Sequence, residues 1–390
     1  MRIIHTSDWH IGKRLCGRDR LNEQRDVLFE IADICEKERT DLVLVAGDVF
    51  DNFLPSAEAE DLFYEAIKKI AGEDRLVLII SGNHDDNVRL AAASAIAERQ
   101  GIYIFGNTAH SPQPGRERRV RISEAGISYA VVSDGEEEIF INILPYPNEA
   151  RLREDKIPDE SFTDKMRRWI AAGQSKNVRG LPSVFLSHLF VAGGKVSDGE
   201  REIDLGGARA VPLELLPECA YAALGHLHRR QHFRNNVYYS GSILQYSFDE
   251  AGAAKSVVAF DMCGGKAENI REIPLTKGRQ LVCLEADGPA RAKELLAMHP
   301  QALIELTLRL HEPLLASQVR ELKEASEGLV SIVSDVRTAE QEWQSVSRKT
   351  MSSSELFKEY YKSIYAEEPA DVLTELFLSL TEDLNETSSS

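Results

Sequence analysis

The chain has 390 residues, 43% hydrophobic and 28% charged, with a formal charge of −17, which suits one large globular domain with appendages. No run approaches the ~20 apolar residues of a membrane-spanning helix, and the opening MRIIHTSDWH lacks the basic start and apolar stretch of a secretory signal. Five scattered cysteines (Cys16, Cys35, Cys219, Cys263, Cys283) form no CxxC pair and point to reduced thiols in the cytoplasm.

In chain order, Arg2–Thr6, Asp41–Ala46 and Leu76–Ser81 are short Ile/Val/Leu runs that predict buried strands. Between the first two, Val27, Leu28, Ile31, Ile34 and Cys35 recur at helical spacing and predict a helix over 22–37. Leu62, Phe63, Ala66, Ile67 and Ile70 predict another between the second and third strands, giving a layered α/β arrangement. Further strands are expected at Phe140–Leu144, Val184–Ser187, Tyr221–Leu224, Val237–Ser240 and Val257–Phe260.

The composition shifts near Lys277 and Gly278, so the first domain is placed at 1–277. A small α/β unit follows over 278–338, with strands at Leu281–Glu285, Ala302–Leu310 and Leu329–Val336 and helices near 289–298 and 314–327. A polar linker is expected over 339–354, then two amphipathic helices over 355–384 and a disordered tail over 385–390. Leu356, Phe357, Tyr360, Tyr361 and Ile364 stripe the first helix; Val372, Leu373, Leu376, Phe377 and Leu380 stripe the second. Such a pair suits a groove on a partner.

Acidity opposes simple nucleic-acid binding, yet it is concentrated: residues 351–390 hold nine acids against two bases. Basic runs persist in GRERRVR (115–121), KMRR (165–168) and HRRQHFR (228–234), which permit nucleic acid without requiring it. No Walker-type phosphate loop occurs, so ATP hydrolysis by this chain is not expected.

Polar motifs directly follow the apolar runs: Asp8-Trp9-His10, Gly47-Asp48, Gly82-Asn83-His84-Asp85, His188, and Gly225-His226-Leu227-His228. Strand carboxyl ends form the ligand crevice of open α/β sheets, so five segments would deliver Asp, Asn and His to one edge. Asp8 and His10, two apart on an extended chain, would give two ligands to one ion, and His226 and His228 would repeat this on one metal or divided between two. Asp48 can bridge two cations through its two oxygens, and Asn83 adds a neutral amide oxygen. Gly47 and Gly82 would let the backbone turn close to the metals. Two ions about 3.5–4 Å apart would polarise a phosphoryl group and activate a bridging water.

His84 would instead serve the departing oxygen as a proton donor or stabiliser, with Asp85 orienting it or capping the next helix. Asp51 is read as a loop cap in preference to a group behind a ligand. His5, His110, His299 and His311 are read as structural, and His232 lacks an independent reason for selection.

The segments SDWHIG, GDVFD, SGNHDD, LSHLF and LGHLH resemble the five motifs of calcineurin-like metallophosphoesterases. VAGGKVSDGER (191–201), YYSGSILQYSFDE (238–250) and the small unit after residue 278 narrow the resemblance to the SbcD family of nuclease subunits. It implies a metallophosphoesterase sandwich with helices flanking the sheets, a small α/β capping domain facing DNA, and C-terminal helices. One metal would take Asp8, His10, Asp48 and His228; the other would take Asp48, Asn83, His188 and His226. Manganese is the implied cation, and His84 the catalytic group.

The same resemblance implies 3'–5' exonuclease action on duplex ends and endonuclease action on single strands and hairpins, in DNA repair, recombination and replication. The partners would be DNA, an SbcC-type SMC-like ATPase held by the C-terminal helices, and a second copy of this chain through helices that include 57–71 and 88–100. Such a heterotetramer would be cytoplasmic and nucleoid-associated. The pattern departs at Asp51, where relatives carry histidine, and at Ile243, where proline is expected. Rival readings are a phosphodiesterase for small nucleotides or phosphoproteins, and a non-catalytic scaffold; retention of every ligand and His84 speaks against the latter.

Overall fold

The computed structural model describes residues 1–106, 111–115, 118–148, 157, 160–197 and 210–336, and beyond these 354, 357–358, 360–362, 369–370, 373–374 and 377. His110, the linker up to residue 353 and the tail at 385–390 lie outside the described residues, as does the end of the 191–201 segment. The chain divides into two compact units: residues 1–283 with 301–305, and residues 284–300 with 306–390.

The first unit contains β1 (Arg2–Thr6), α1 (Leu21–Glu38), β2 (Leu42–Val45), α2 (Ala57–Ala71), β3 (Leu76–Ile80), α3 (Asn87–Leu90), α4 (Ser94–Ala97) and β4 (Ile102–Phe105). After these come β5 (Arg121–Gly126), β6 (Tyr129–Ser133), β7 (Glu138–Leu144), α5 (Phe162–Gln174), β8 (Ser183–His188), β9 (Tyr221–Gly225), β10 (Gln231–Phe233), β11 (Val237–Tyr239), β12 (Ser256–Cys263) and β13 (Lys266–Pro274). A six-stranded sheet runs β13-β12-β1-β2-β3-β4 and a seven-stranded sheet runs β10-β11-β9-β8-β7-β6-β5. Strands β1 to β4 are mutually parallel, as are β7, β8, β9 and β11.

Alternation along the strands builds the layers. Ile3, Leu42, Leu44, Leu76 and Leu78 pack with Ile141, Val184, Leu186 and Ala223 of the other sheet in an apolar interior. Their neighbours Ile4, Val43, Val45, Val77 and Ile79 turn to the opposite face and pack under Val27, Ile31, Phe63 and Ile67 of α1 and α2. On the outer face of the second sheet, Met166, Trp169 and Ile170 of α5 cover Phe185, Ala222 and Leu224. The result is the expected sandwich, helix–sheet–sheet–helix. The strands of the first sheet from β1 to β4 are strongly apolar because both faces are covered. Ser56 caps α2 by accepting from the Ala59 N–H.

Chain segments in the second unit include α6 (Pro289–Ala297) and α7 (Ala316–Ala325), with Ala292, Leu296 and Leu322 buried. Strands β14 (Leu281–Asp287), β15 (Leu303–Leu310) and β16 (Leu329–Val336) form a three-stranded sheet in that order. Near the C-terminus, residues 357–358, 360–362, 373–374 and 377 are helical. The Phe357 and Phe377 rings stack with centroids 4.3 Å apart, so the two apolar stripes meet there. No helix among the described residues is long and apolar enough to cross a membrane.

Candidate metal centre

The segments following β1, β2 and β3 meet the ends of β8 and β9, so both sheets contribute to one cluster. Asp8, His10, Asp48, Asn83, His188, His226 and His228 are all buried. His10 Nε2 and His228 Nε2 approach to 3.1 Å. Asp48 Oδ2 lies 3.6 Å from His10 Nε2 and 3.4 Å from His188 Nε2, facing both sides of the cluster. Asn83 Oδ1 is 2.8 Å from His188 Nε2 and 3.0 Å from His226 Nδ1. Ligand atoms of Asp8, His10 and His228 lie within 4.8 Å of one another, and so do those of Asp8, Asp48 and His188. The structure brings all seven sequence-selected residues together, and His84 joins His10 and Asp48 in a third such group.

The local backbone differs from the expected extended geometry. Asp8 (φ 52°), His10 (φ 45°), Asp48 (φ 51°) and His226 (φ 109°) all have positive φ, a conformation uncommon outside glycine. Asp8 and His10 therefore do not share a face by strand alternation; β1 has already ended at Thr6. Their loop is held against the next one by Asp8 N–H to Gly47 O (3.0 Å), His10 N–H to Asp48 O (3.0 Å) and Ile11 N–H to Val49 O (2.9 Å). The glycines serve close approach. A Cβ on Gly82 would stand 2.1 Å from Asp48 Oδ1, and one on Gly47, itself at φ 89°, would stand 2.5 Å from His188 Nδ1.

Burial raises the Asp8 carboxyl, and Asp48 nearby raises it further. Burial would also raise Asp48, but His188, His10 and His84 outweigh it and hold that carboxyl well below the usual range. His188 is pushed up to about 9: burial opposes its charge, but the facing Asp48 prevails. Burial pushes His226 down to about 3 and His10 well below its ordinary value.

Three of the imidazoles are fixed from behind. His188 Nδ1 donates to Ala46 O at 2.8 Å, which turns Nε2 into the cluster. His228 Nδ1 faces Glu250 Oε1 at 3.2 Å, and Glu250 is ion-paired with Lys255. Burial would raise Glu250, but His228 and Lys255 bring it down to about 2. His84 Nδ1 donates to Asp51 O at 2.7 Å, and its backbone N–H donates to Asp48 Oδ1 at 2.8 Å.

Two minor expectations need correction. Asp85 does not cap the next helix; its carboxylate accepts from the N–H groups of Val49 (3.2 Å), Phe50 (2.9 Å) and Gly82 (2.8 Å), tying two loops of the cluster together. Asp86 is the cap, accepting from Val88 and Arg89 N–H. The Asp51 carboxylate is not a loop cap either: it pairs with Lys13 at 3.1 Å and lies 3.6 Å from His10 Nδ1. His5 is structural as expected, bonded to Tyr221 Oη and Leu224 O. Sequence reasoning does not single out Glu250 and Lys255; the one signal is that Glu250 ends the 238–250 segment.

The basic runs have internal partners. Arg119 pairs with Asp41, Arg168 with Glu160, Arg229 with Asp249 and Arg230 with Glu272.

The donor set fits a pair of divalent cations: buried carboxylates side by side, an amide oxygen, and imidazole nitrogens converging from opposite sides. Two buried carboxylates at such range call for compensating positive charge.

Residues 1–230 match the family model for calcineurin-like phosphoesterases. The SbcD polypeptide of the nuclease SbcCD from Bacillus subtilis (strain 168) is 35% identical, over 99% of this chain and 99% of that protein. Proteins of the same name from Rhodobacter capsulatus and Staphylococcus epidermidis are 35% and 30% identical, over 76% and 74% of this chain and 75% and 73% of their own lengths. With its strand-end Asp, Asn and His residues gathered into one buried cluster, the chain belongs to the SbcD family of calcineurin-like phosphoesterases.

Proposed function

We propose that this chain is the nuclease subunit of an SbcCD-type complex, a metal-dependent hydrolase of DNA phosphodiester bonds. The carrying observation is Asp48 Oδ2, within 3.6 Å of His10 Nε2 and 3.4 Å of His188 Nε2, as a bridge between two cation positions requires. Asp8, His10, Asp48 and His228 would hold one cation; Asp48, Asn83, His188 and His226 would hold the other. Both would be Mn2+, a cation at home among mixed oxygen and imidazole donors.

When bound, two such ions supply a polarised phosphoryl group and an activated water. The residues do the rest. Asp48, kept ionised, holds Oδ2 toward both sides while the His84 backbone N–H fixes Oδ1. His188 and His228 present Nε2 because their Nδ1 atoms are engaged from behind. His84, with Nδ1 committed to Asp51 O, handles the proton of the leaving oxygen at Nε2.

Residues 1–277 form the catalytic domain in this reading, 278–338 a DNA-capping unit, 339–354 a linker, and 355–384 the helical segment that holds the SMC-like ATPase. Exposure of Tyr360 and Leu373 supports that last assignment. A homodimer within a heterotetramer is supported by Phe53, Leu54, Tyr64, Val88 and Ile96, large apolar side chains exposed on and beside α2, α3 and α4. The complex would work in DNA repair in the cytoplasm, as a 3'–5' exonuclease on duplex ends and an endonuclease on single strands and hairpins.

The test is a Mn2+-dependent assay on end-labelled duplex and hairpin DNA, with and without the ATPase partner and ATP. DNA should be cut only with metal, and duplex ends best with partner and ATP. Turnover of a small phosphodiester with no cleavage of DNA in any combination would move the assignment to a small-molecule phosphodiesterase.

A further inference from the structure

Behind the cluster, the segment after β11 wraps the backbone of His228. Ser242 N–H donates to His228 O at 3.1 Å, and Gly241 fits so closely that a Cβ there would stand 2.8 Å from the same oxygen. Lys255 Nζ donates to His228 O and to Ser242 Oγ, each at 2.8 Å. Glu250, wholly buried, faces His228 Nδ1 with Oε1, accepts the Tyr246 N–H at 3.4 Å, and takes Lys255 on Oε2. A buried carboxylate with its own buried lysine is costly to build and easily replaced by apolar packing if stability alone is served. Here both members act on one residue: Glu250 on its ring, Lys255 on its carbonyl.

His188, across the cluster, is held differently. Its Nδ1 rests on the neutral Ala46 carbonyl. A carboxylate behind an imidazole fixes its tautomer and strengthens the other nitrogen as a donor, and removing such a partner costs about 10–100-fold in metal affinity.

We propose that Glu250, held by Lys255, is a positioning residue that orients and strengthens His228 as a ligand, so that one cation position depends on it and the other does not. The inference rests on the metal reading given above and adds a residue pair and an asymmetry to it.

The test is calorimetric titration of Mn2+ into the metal-free full chain, with the melting temperature of each metal-free variant recorded. Wild type should bind two ions. Glu250→Ala should weaken one of the two by about 10–100-fold and leave the other within about twofold. Because Glu250→Ala leaves Lys255 buried without its partner, the double variant Glu250→Gln/Lys255→Met is measured beside it. It should melt near wild type and still show the one-site loss. Unchanged affinity at both positions in the double variant overturns the proposal, as does equal weakening of both, which would mark a general structural role. Failure of wild type to bind Mn2+ overturns the metal reading itself, and this inference with it.

Discussion

The two sides of the cluster share Asp48 and each carry two imidazoles, but these imidazoles are supported differently. On the His228 side, a charged carboxylate and its lysine stand behind the imidazole. On the His188 side, a backbone carbonyl stands behind it and the charged partner, Asp48, stands in front. Ligand identity therefore does not set how a site responds to its surroundings. On the second side Asp48 also favours the charged form of His188, whose proton a bound cation would displace.

The largest expected effect comes from removing the residue shared by both sides. Asp48→Ala should cost both cations in a Mn2+ titration and lower DNA cleavage by on the order of 10³-fold or more, since it removes several kcal/mol of transition-state stabilisation. Retention of one tight cation would show that the two sides are independent.

Next comes His84→Ala, which should keep both cations and lower the maximal cleavage rate by about 10²–10⁴-fold. Full activity in that variant would falsify the proton role. Loss of a cation would make His84 a ligand, as its position beside His10 and Asp48 also permits.

The third expectation is a pH dependence on the His188 side. His188 in the metal-free protein stays protonated up to about 9 because Asp48 favours its charge. Cation binding needs that nitrogen deprotonated, so affinity on this side should rise about tenfold per pH unit toward 9 and then level. Burial keeps His10 well below its ordinary value, so that ligand brings no such proton near neutrality. Calorimetry in buffers of different ionisation enthalpy, at about pH 7, should find one proton released on filling the second position. Zero release on the His188 side would remove the proton from this account.

The smallest effect on the cluster should come from removing residues 351–390. Mn2+ binding should be unchanged within about twofold while association with the ATPase partner is lost, read by co-purification. Undiminished co-purification would shift partner binding to another surface.

Much of the fold is legible in the sequence because the sandwich is buried on both faces. Strands β1, β2 and β3 read as apolar runs, so the polar residues after them stand out. Strand β13 does not: it lies at the sheet edge beside β12, and its exposed, charged residues mask any alternation. Helix α5 is hidden by its own surface, KMRR reading as a basic run although Met166 faces the core. The region expected as one helix over 88–100 is broken into α3, α4 and a single 3₁₀ turn. At the cluster, residue identities can be read from spacing, but strand alternation is the wrong reason for Asp8 and His10, because left-handed backbone at both replaces it. Glu250 is invisible for a different reason: its meaning depends on a histidine 22 residues earlier that only the fold brings to its carboxylate.

The four left-handed positions in the cluster bear on inheritance and engineering. Each costs on the order of 1–3 kcal/mol and persists only while surrounding contacts enforce it. Here the enforcement is mutual, since the loop bearing Asp8 and His10 is hydrogen-bonded to the loop bearing Asp48, and Asp85 clasps that second loop to Gly82. A short motif such as SDWH or GDVF copied onto another scaffold would relax and scatter its ligands. The transferable unit is the whole set of interlocked loops.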